Sequence, residues 1–438
     1  MQIPSFQKLD TFDTIMVSKR DRPVVKFVIM FPFGAEVDPH NQQGLTNITG
    51  DMLLRGTKSL TRTEIENKLD ELGASLSIYT GFHSVSIEGQ ILKRNFPELL
   101  RIIQTILSES TFDEDELEKL KNEITSQLRH RLDDDQGLAK TAFNREMFVG
   151  HTYAQEVMGN EKTLSSITKE NVETHFKTYF SSKQVLIGLS GDTSNAMLDL
   201  CVMTIKRSLP TNDIPQPNAA SMNFPKGKIL LFVDKPERTQ THFFIGHPTM
   251  SMLDPHAFDF LVYQTAFSGG LFQAKYMQEI RVKRGWAYGA YGSVDYRKYA
   301  STSYLYTFPK NVDTADAIST SLDLYAQARE GTILSTSDIE FAKHYLYRSF
   351  PFKIDTPGKI LSQKIHQKHL GLPEDYIETY RHHIEAVQAD NIHNRISDFF
   401  TKQDFLISVL GSKDTLLDQL VERLKPDQVK VISFEELI

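Results

Sequence analysis

Residues 44–57 read Gly44-Leu45-Thr46-Asn47-Ile48-Thr49-Gly50-Asp51-Met52-Leu53-Leu54-Arg55-Gly56-Thr57. Upstream, Val24 to Phe33 is a strand-like run leading to Val37-Asp38-Pro39-His40, and the proline is expected near the first turn of a following helix. Downstream, Thr61-Arg62-Thr63-Glu64 is a capping box that opens a helix ending near Gly73. Ala74 to Thr80 and His83 to Ile91 alternate like antiparallel strands. Phe96 to Ser108 and Asp113 to Leu132 have helical spacing, and Gln184 to Leu189 reads as a short buried strand.

The best boundary is Ser208 to Lys226, where Pro210, Pro215, Pro217 and Pro225 stand among Asn, Ser and Ala. Such composition reads as a semi-rigid linker and divides the chain into 1–207 and 227–438. The halves echo each other. Thr241 to His247 is again a strand-like run, leading to Leu253-Asp254-Pro255-His256. In the second half Lys228 to Val233, Thr241 to Ile245, Ala287 to Asp295 and Thr302 to Phe308 look like strands. Ala257 to Phe267, Leu271 to Lys283, Val312 to Arg329 and Ser337 to Arg348 look like helices. Strands and helices in mixed order, with antiparallel pairs, predict an α+β fold.

A second informative run is Ser268-Gly269-Gly270-Leu271-Phe272 followed by Gln278-Glu279-Ile280-Arg281-Val282-Lys283-Arg284-Gly285-Trp286-Ala287-Tyr288. The frame Gly44-Leu45, Met52-Leu53, Gly56-Thr57, the segment Glu116–Glu123 and this glycine/Arg/Tyr run, in this order, resemble the M16 metallopeptidases, the pitrilysin/insulinase-like and mitochondrial processing peptidase-like family. The resemblance covers most of the chain. It implies two homologous domains, each a mostly antiparallel sheet packed with helices, the LuxS/MPP-like arrangement.

In active members the first frame encloses H-x-x-E-H. His at i and i+4 then share one helix face and bind zinc, and the Glu serves as general base for metal-bound water. Here those slots hold Asn47, Gly50 and Asp51. Asn47 is a poor zinc ligand, Gly50 offers no base, and Asp51 alone does not hold zinc. The family's remaining ligand is a Glu on a later helix; Glu116 and Glu123 match its seven-residue spacing, so Glu123 is the leftover ligand. The resemblance therefore implies no metal and no catalytic residue in this chain alone. The residues leave open a hard-cation site from Asn47, Asp51 and Glu123, against solvated helix carboxylates.

The second run keeps its chemistry. In the family an Arg and a Tyr seven residues apart face the zinc site across a chamber, and they map to Arg281 and Tyr288. A guanidinium and a phenol can bind backbone carbonyls and hold the negative charge that develops on a scissile carbonyl oxygen. Gly269 and Gly270, part of the same substrate-binding signature, permit close backbone approach in the linking loop. Read alone, Arg281 would be a surface helix charge and Tyr288 a half-buried strand aromatic. Trp286, the only Trp, reads as core packing, and Lys283 and Arg284 as solvated helix-end charges.

The 438-residue chain is too long for one compact core. Its net charge of −7 argues against a nucleic-acid surface. The single Cys201 excludes an intramolecular disulfide and a Cys-rich zinc site. No apolar run reaches transmembrane length, and the polar start lacks a signal-peptide core. A cytoplasmic location is expected, or a periplasmic one if a signal has been removed. His366, His369, His382 and His383 have no spacing logic for a metal, His40 and His256 read as capping or surface residues, and Ser268 lacks the flanks of a nucleophile elbow.

Taken together, the resemblance implies a non-catalytic, substrate-binding subunit of a heterodimeric zinc peptidase. A homologous partner carrying H-x-x-E-H would bring the zinc, and peptides would be the substrate. A peptide-binding homodimer and a scaffold subunit without peptidase activity are the alternatives. A neighbouring reading frame encoding an H-x-x-E-H homologue separates the first reading from both.

Overall fold

The computed structural model describes residues 3–216, 222–400 and 403–438; residues 217–221 of the expected linker, Pro217 among them, lie outside the described residues. The described residues form two compact units. The first comprises Met1–Arg129, Gln155–Ala219 and Lys353–Ile365; the second His130–Ala154, Ala220–Phe352 and His366–Ile438. Each unit thus takes a helix-bearing segment from the other half of the chain. No helix among the described residues is long and apolar enough to cross a membrane.

The first unit is built on six strands: β1 (Gln7–Leu9), β2 (Phe12–Ser18), β3 (Val24–Phe31), β4 (Ser75–Thr80), β5 (Val85–Leu92) and β6 (Leu186–Gly191). Their order is β1-β2-β6-β3-β5-β4. Only β2 and β6 run parallel; every other pair is antiparallel. Period-two alternation in β3 buries Val25, Phe27, Ile29 and Phe31 and leaves Lys26, Val28 and Met30 on the opposite face.

Five helices accompany the first part of the chain: α1 (Leu45–Met52), α2 (Arg62–Leu72), α3 (Phe96–Ser108), α4 (Glu114–His130) and α5 (Asp135–Met147). In α3, Phe96, Leu99, Leu100, Ile103, Ile106 and Leu107 recur at helical spacing and are buried, each contributing about 1.5–3 kcal/mol by leaving water. Phe96 meets Phe27 edge-on at 6.2 Å, which ties α3 to the buried face of the sheet. On the other face Ile360, Leu361 and Ile365 of the helix Pro357–His369 cover Ile15, Val17 and Leu186.

The second unit repeats the plan with β7 (Lys228–Asp234), β8 (His242–Thr249), β9 (Ala290–Tyr296), β10 (Ser301–Thr307), β11 (Phe405–Gly411) and β12 (Gln428–Ser433), ordered β12-β7-β11-β8-β10-β9. Its last five strands match β2-β6-β3-β5-β4 in order and in chain sequence. Here α5 lies on the sheet, and Ala139 accepts a 3.1 Å bond from buried Ser408. Two mostly antiparallel six-stranded sheets with helices are the expected α+β architecture.

Several local expectations shift. The residues 271–283 do not form one α-helix: a single α turn, Lys275–Met277, runs into a wide π turn, Gln278–Lys283. β6 begins at Leu186 because Gln184 adopts φ 60°. Neither Asp-Pro opens a helix in its first turn. Pro39 precedes Leu45 by a loop, and the Asp38 carboxylate reaches forward to accept from the N–H groups of Gly44 and Thr46, both at 2.9 Å. Asp254 accepts from His256 N–H at 2.8 Å before the helix Ala257–Ser268. Asp38 thus caps α1 from a distance, whereas Asp254 closes only the turn that precedes its helix.

The capping box at Thr61 is present in full: the Thr61 hydroxyl accepts from Glu64 N–H and the Glu64 carboxylate from Thr61 N–H. Thr61→Ala should lower the unfolding free energy by about 1 kcal/mol in a denaturant titration; no loss would mean that α2 is held by packing alone.

Candidate functional site

The short helix α1 carries Asn47, Gly50 and Asp51. Its entry is fixed by a buried chain. The Asp38 carboxylate also accepts from Thr46 Oγ1 at 2.5 Å, and Thr46 Oγ1 lies 2.9 Å from His175 Nε2. Burial pushes the Asp38 carboxyl up to about 7 and the His175 imidazole down to about 4, because each charged form loses solvation inside the protein.

Along α1 the three slots have separate fates. Asn47 Nδ2 donates to Asp51 Oδ2 at 3.3 Å, one turn on. Gly50 faces β4: a Cβ there would lie 3.1 Å from Ile78 Cγ2 and 3.5 Å from Thr80 Oγ1. The helix sits too close to the sheet for a longer side chain without moving Ile78. Asp51 is buried enough to raise its carboxyl to about 6, against the opposing pull of Arg55 and the Asn47 hydrogen bond.

Arg55 is the residue that sequence reasoning missed. It follows α1, is 9% exposed, and reaches α4. Its Nη1 donates to Glu123 Oε1 at 3.2 Å, its Nη2 pairs with Glu123 Oε2, and Glu116 Oε2 lies 3.5 Å from Nη1. Arg62 of α2 adds a second guanidinium, 3.5 Å from Glu123 and 3.8 Å from Glu116. The hydrogen bond from Arg55 leads in holding the Glu123 carboxyl below its ordinary range. The signal was an Arg four residues after Asp51 with two carboxylates seven apart on a later helix.

The structure brings Asn47, Asp51, Arg55, Arg62 and Glu123 around one cleft of about 460 Å³. The donors do not fit zinc. They are an amide, one buried carboxylate bonded to that amide, and one carboxylate committed to two guanidiniums, with no imidazole. Among the described residues no group of three or more His, Cys, Asp or Glu is placed to hold a metal ion.

In the second unit the π turn carries Arg281. The wide winding returns the chain through Gly285 N–H to Arg281 O and Trp286 N–H to Ile280 O, both 3.1 Å. The Arg281 guanidinium carbon lies 5.0 Å from the Tyr288 ring centroid and 5.8 Å from that of Phe272. Tyr288 is 82% exposed rather than half-buried, and Phe272 is exposed too. No ion pair or hydrogen bond engages the Arg281 side chain among the described residues, because Lys283 and Arg284 both take Glu279, at 2.8 and 2.9 Å. Those two are therefore paired rather than simply solvated. Trp286 is half-buried beneath Arg284, 4.6 Å away, and is not core packing. Gly269 ends the preceding helix where a Cβ would lie 2.6 Å from Thr265 Cα, and Gly270 takes φ 76°. Both glycines are needed for the turn that delivers this surface.

Both regions fall within one family. Residues 14–161 match the model of insulinase (peptidase family M16) and residues 166–346 that of the peptidase M16 inactive domain. The chain belongs to the M16 peptidase family, and within it to the members without the H-x-x-E-H residues. It is 22% identical over 391 residues to a non-peptidase homolog, YmxG, of Helicobacter pylori, spanning 88% of each chain. In fold it is similar to the peptidase M16 inactive domain from Pseudomonas fluorescens, with TM-score 0.84, 18% identity and coverage of 94% of this chain and 98% of that one. A chain of complex III2 from Candida albicans, with Inz-5 bound, has TM-score 0.75, 14% identity and 97% coverage of both chains.

Two outcomes follow from Arg55. In Arg55→Met the Asp51 carboxyl, followed by carbon NMR, should titrate above its present value of about 6, since the neighbouring positive charge favours the carboxylate. An unchanged midpoint would remove Arg55 from this electrostatic role. The variant N47H/D51H should bind zinc weakly in a chelator competition, and adding Arg55→Met should tighten binding by about tenfold or more by releasing Glu123. Equal affinities would show that the guanidinium does not compete with a metal.

Proposed function

We propose that this chain is the substrate-binding half of a two-subunit zinc peptidase. A homologous subunit carrying H-x-x-E-H supplies zinc and general base, and this chain supplies Arg281 and Tyr288. The observation that carries this reading is the contrast between its two sites. At α1 the metal donors are absent and the remaining carboxylate is neutralised by Arg55. In the second unit Arg281 is half-buried between the exposed rings of Phe272 and Tyr288, with no hydrogen bond or ion pair to its guanidinium among the described residues.

The chemistry assigned to this chain is binding and orientation. The guanidinium and the phenol donate to backbone carbonyls of an extended peptide, and strengthen those bonds as charge builds on the scissile carbonyl oxygen. The aromatic rings hold the guanidinium in place through cation–π contact without consuming its N–H donors. The edge strand β4, beside α1, offers backbone groups to which an extended peptide can add as a further strand.

In the assembled pair Tyr288→Phe should lower kcat for peptide hydrolysis by about tenfold or more, with assembly unchanged in size-exclusion chromatography. Turnover equal to that of the parent pair would remove Tyr288 from substrate handling. The fold shared with a complex III2 chain supports a second reading, a scaffold subunit. In that case no homologue would gain peptidase activity on mixing.

A further inference from the structure

On the outer face of the first sheet the helix Pro357–His369 reaches β3 at Lys26, and beyond it the face of β5 and β4 carries Ser75, Ser77, Glu88 and Gln90 together with Tyr79. The register aligns Ser75, Gln90, Lys26 and Ser190 in one row across β4, β5, β3 and β6. The next row begins Ser77, Glu88, Val28. The groove over these rows has a volume of about 450 Å³, and the start of the helix Pro357–His369 forms its wall. A second hollow, bordered by Lys19, Arg22 and Pro357, continues it and shares Lys26, Gln90, Ser190, Thr356 and Gly358.

Three donors meet where the hollows join. The first is the helix N-terminus. Thr356 caps it by accepting from Lys359 N–H at 3.3 Å, and Pro357 has no N–H. Gly358 N–H is left with no partner among the described residues and points out of a 13-residue helix. The second is Lys26, exposed on β3, with no hydrogen bond or ion pair among the described residues. The third is Ser190, only 1% exposed, whose buried hydroxyl has no hydrogen-bond partner among the described residues. A buried hydroxyl left unsatisfied costs about 1–3 kcal/mol, which a ligand atom would relieve. The three are close: a Cβ on Gly358 would lie 3.8 Å from Lys26 Nζ and 4.0 Å from Ser190 Oγ. With no side chain at 358, that space is open.

Charge agrees. Lys19 is paired with Asp21 and Lys359 with Asp355, and among the described residues Lys26 and Arg22 have no ion-pair partner at this place in an acidic chain. Glu88, farther along the groove, accepts from Ser86 and lies in the next row from Lys26.

We infer that Gly358, Lys26 and Ser190 form a binding site for a phosphate-type oxyanion. The adjoining groove, with Ser75, Ser77, Glu88 and Gln90, takes the hydroxyl-bearing body of a small molecule that carries the oxyanion. A helix N–H, an ammonium and a hydroxyl converging from three sides suit a tetrahedral group with several acceptor oxygens. The site lies in the first unit alone and stands apart from the peptide-binding reading.

The test uses the whole chain labelled with 15N-glycine and follows the Gly358 amide during titration with inorganic phosphate and, separately, with glycerol phosphate. A saturable Gly358 shift below about 10 mM is the expected result. Phosphate alone would identify the free ion as ligand, and a tighter response to glycerol phosphate would identify a phosphate ester. Lys26→Met and Ser190→Ala should each weaken the response by about threefold to tenfold, the loss of one charge-assisted or relieved hydrogen bond. Gly358→Leu, which fills the space, should abolish protection of the fold by phosphate in thermal melts. No Gly358 shift with either probe, or a shift of equal strength in Lys26→Met and Ser190→Ala, would overturn the assignment.

Discussion

The guanidinium of Arg55 brings a positive charge into the cleft beside α1, and the carboxylates there are disposed around it. Glu123 and Glu116 on α4 face it directly, and Asp51 on α1 feels it through space. Without a cation at this place, the like charges of three carboxylates would repel one another and carry uncompensated desolvation. In a zinc peptidase the metal answers that requirement. Here Arg55, just after α1, supplies a positive charge and ties that end of α1 to Glu116 and Glu123 of α4. The same interaction removes Glu123 from metal chemistry.

The second unit shows the opposite allocation. Its charged residues near the π turn pair among themselves, and that pairing leaves Arg281 out. Glu279 absorbs Lys283 and Arg284, and Arg281 is left against two exposed aromatic rings. Tyr288 and Phe272 expose most of their rings beside it. The cleft beside α1 thus pairs its charges internally, whereas the π turn leaves one guanidinium unpaired among the described residues.

Much of this was legible in the sequence where local signals were sufficient. The capping box at Thr61, the apolar spacing of Phe96–Ser108 and the strands on either side of Gly81 are set by neighbours a few residues away. Elements fixed by distant partners were not legible. Phe12–Ser18 carries Asp, Thr and Ser among its apolar residues and is a strand because β6, far along the chain, pairs with it. β11 pairs with β7 across a similar separation. In the site, the identities of Asn47, Gly50, Asp51, Arg281 and Tyr288 could be read, but the role of Arg55 could not. It depends on α4 lying beside the end of α1, which no local pattern encodes. The π turn was hidden for a related reason: residues 271–283 have helical spacing, and the wide winding appears only once Trp286 bonds back to Ile280.

The most direct measurement is peptide hydrolysis by the purified chain, by an H-x-x-E-H homologue from the same genome, and by an equimolar mixture of the two. The account predicts no turnover by this chain with or without added zinc, and turnover by the mixture that far exceeds either protein alone and disappears with a chelator. Hydrolysis by this chain alone, or a mixture no faster than the homologue by itself, would contradict it.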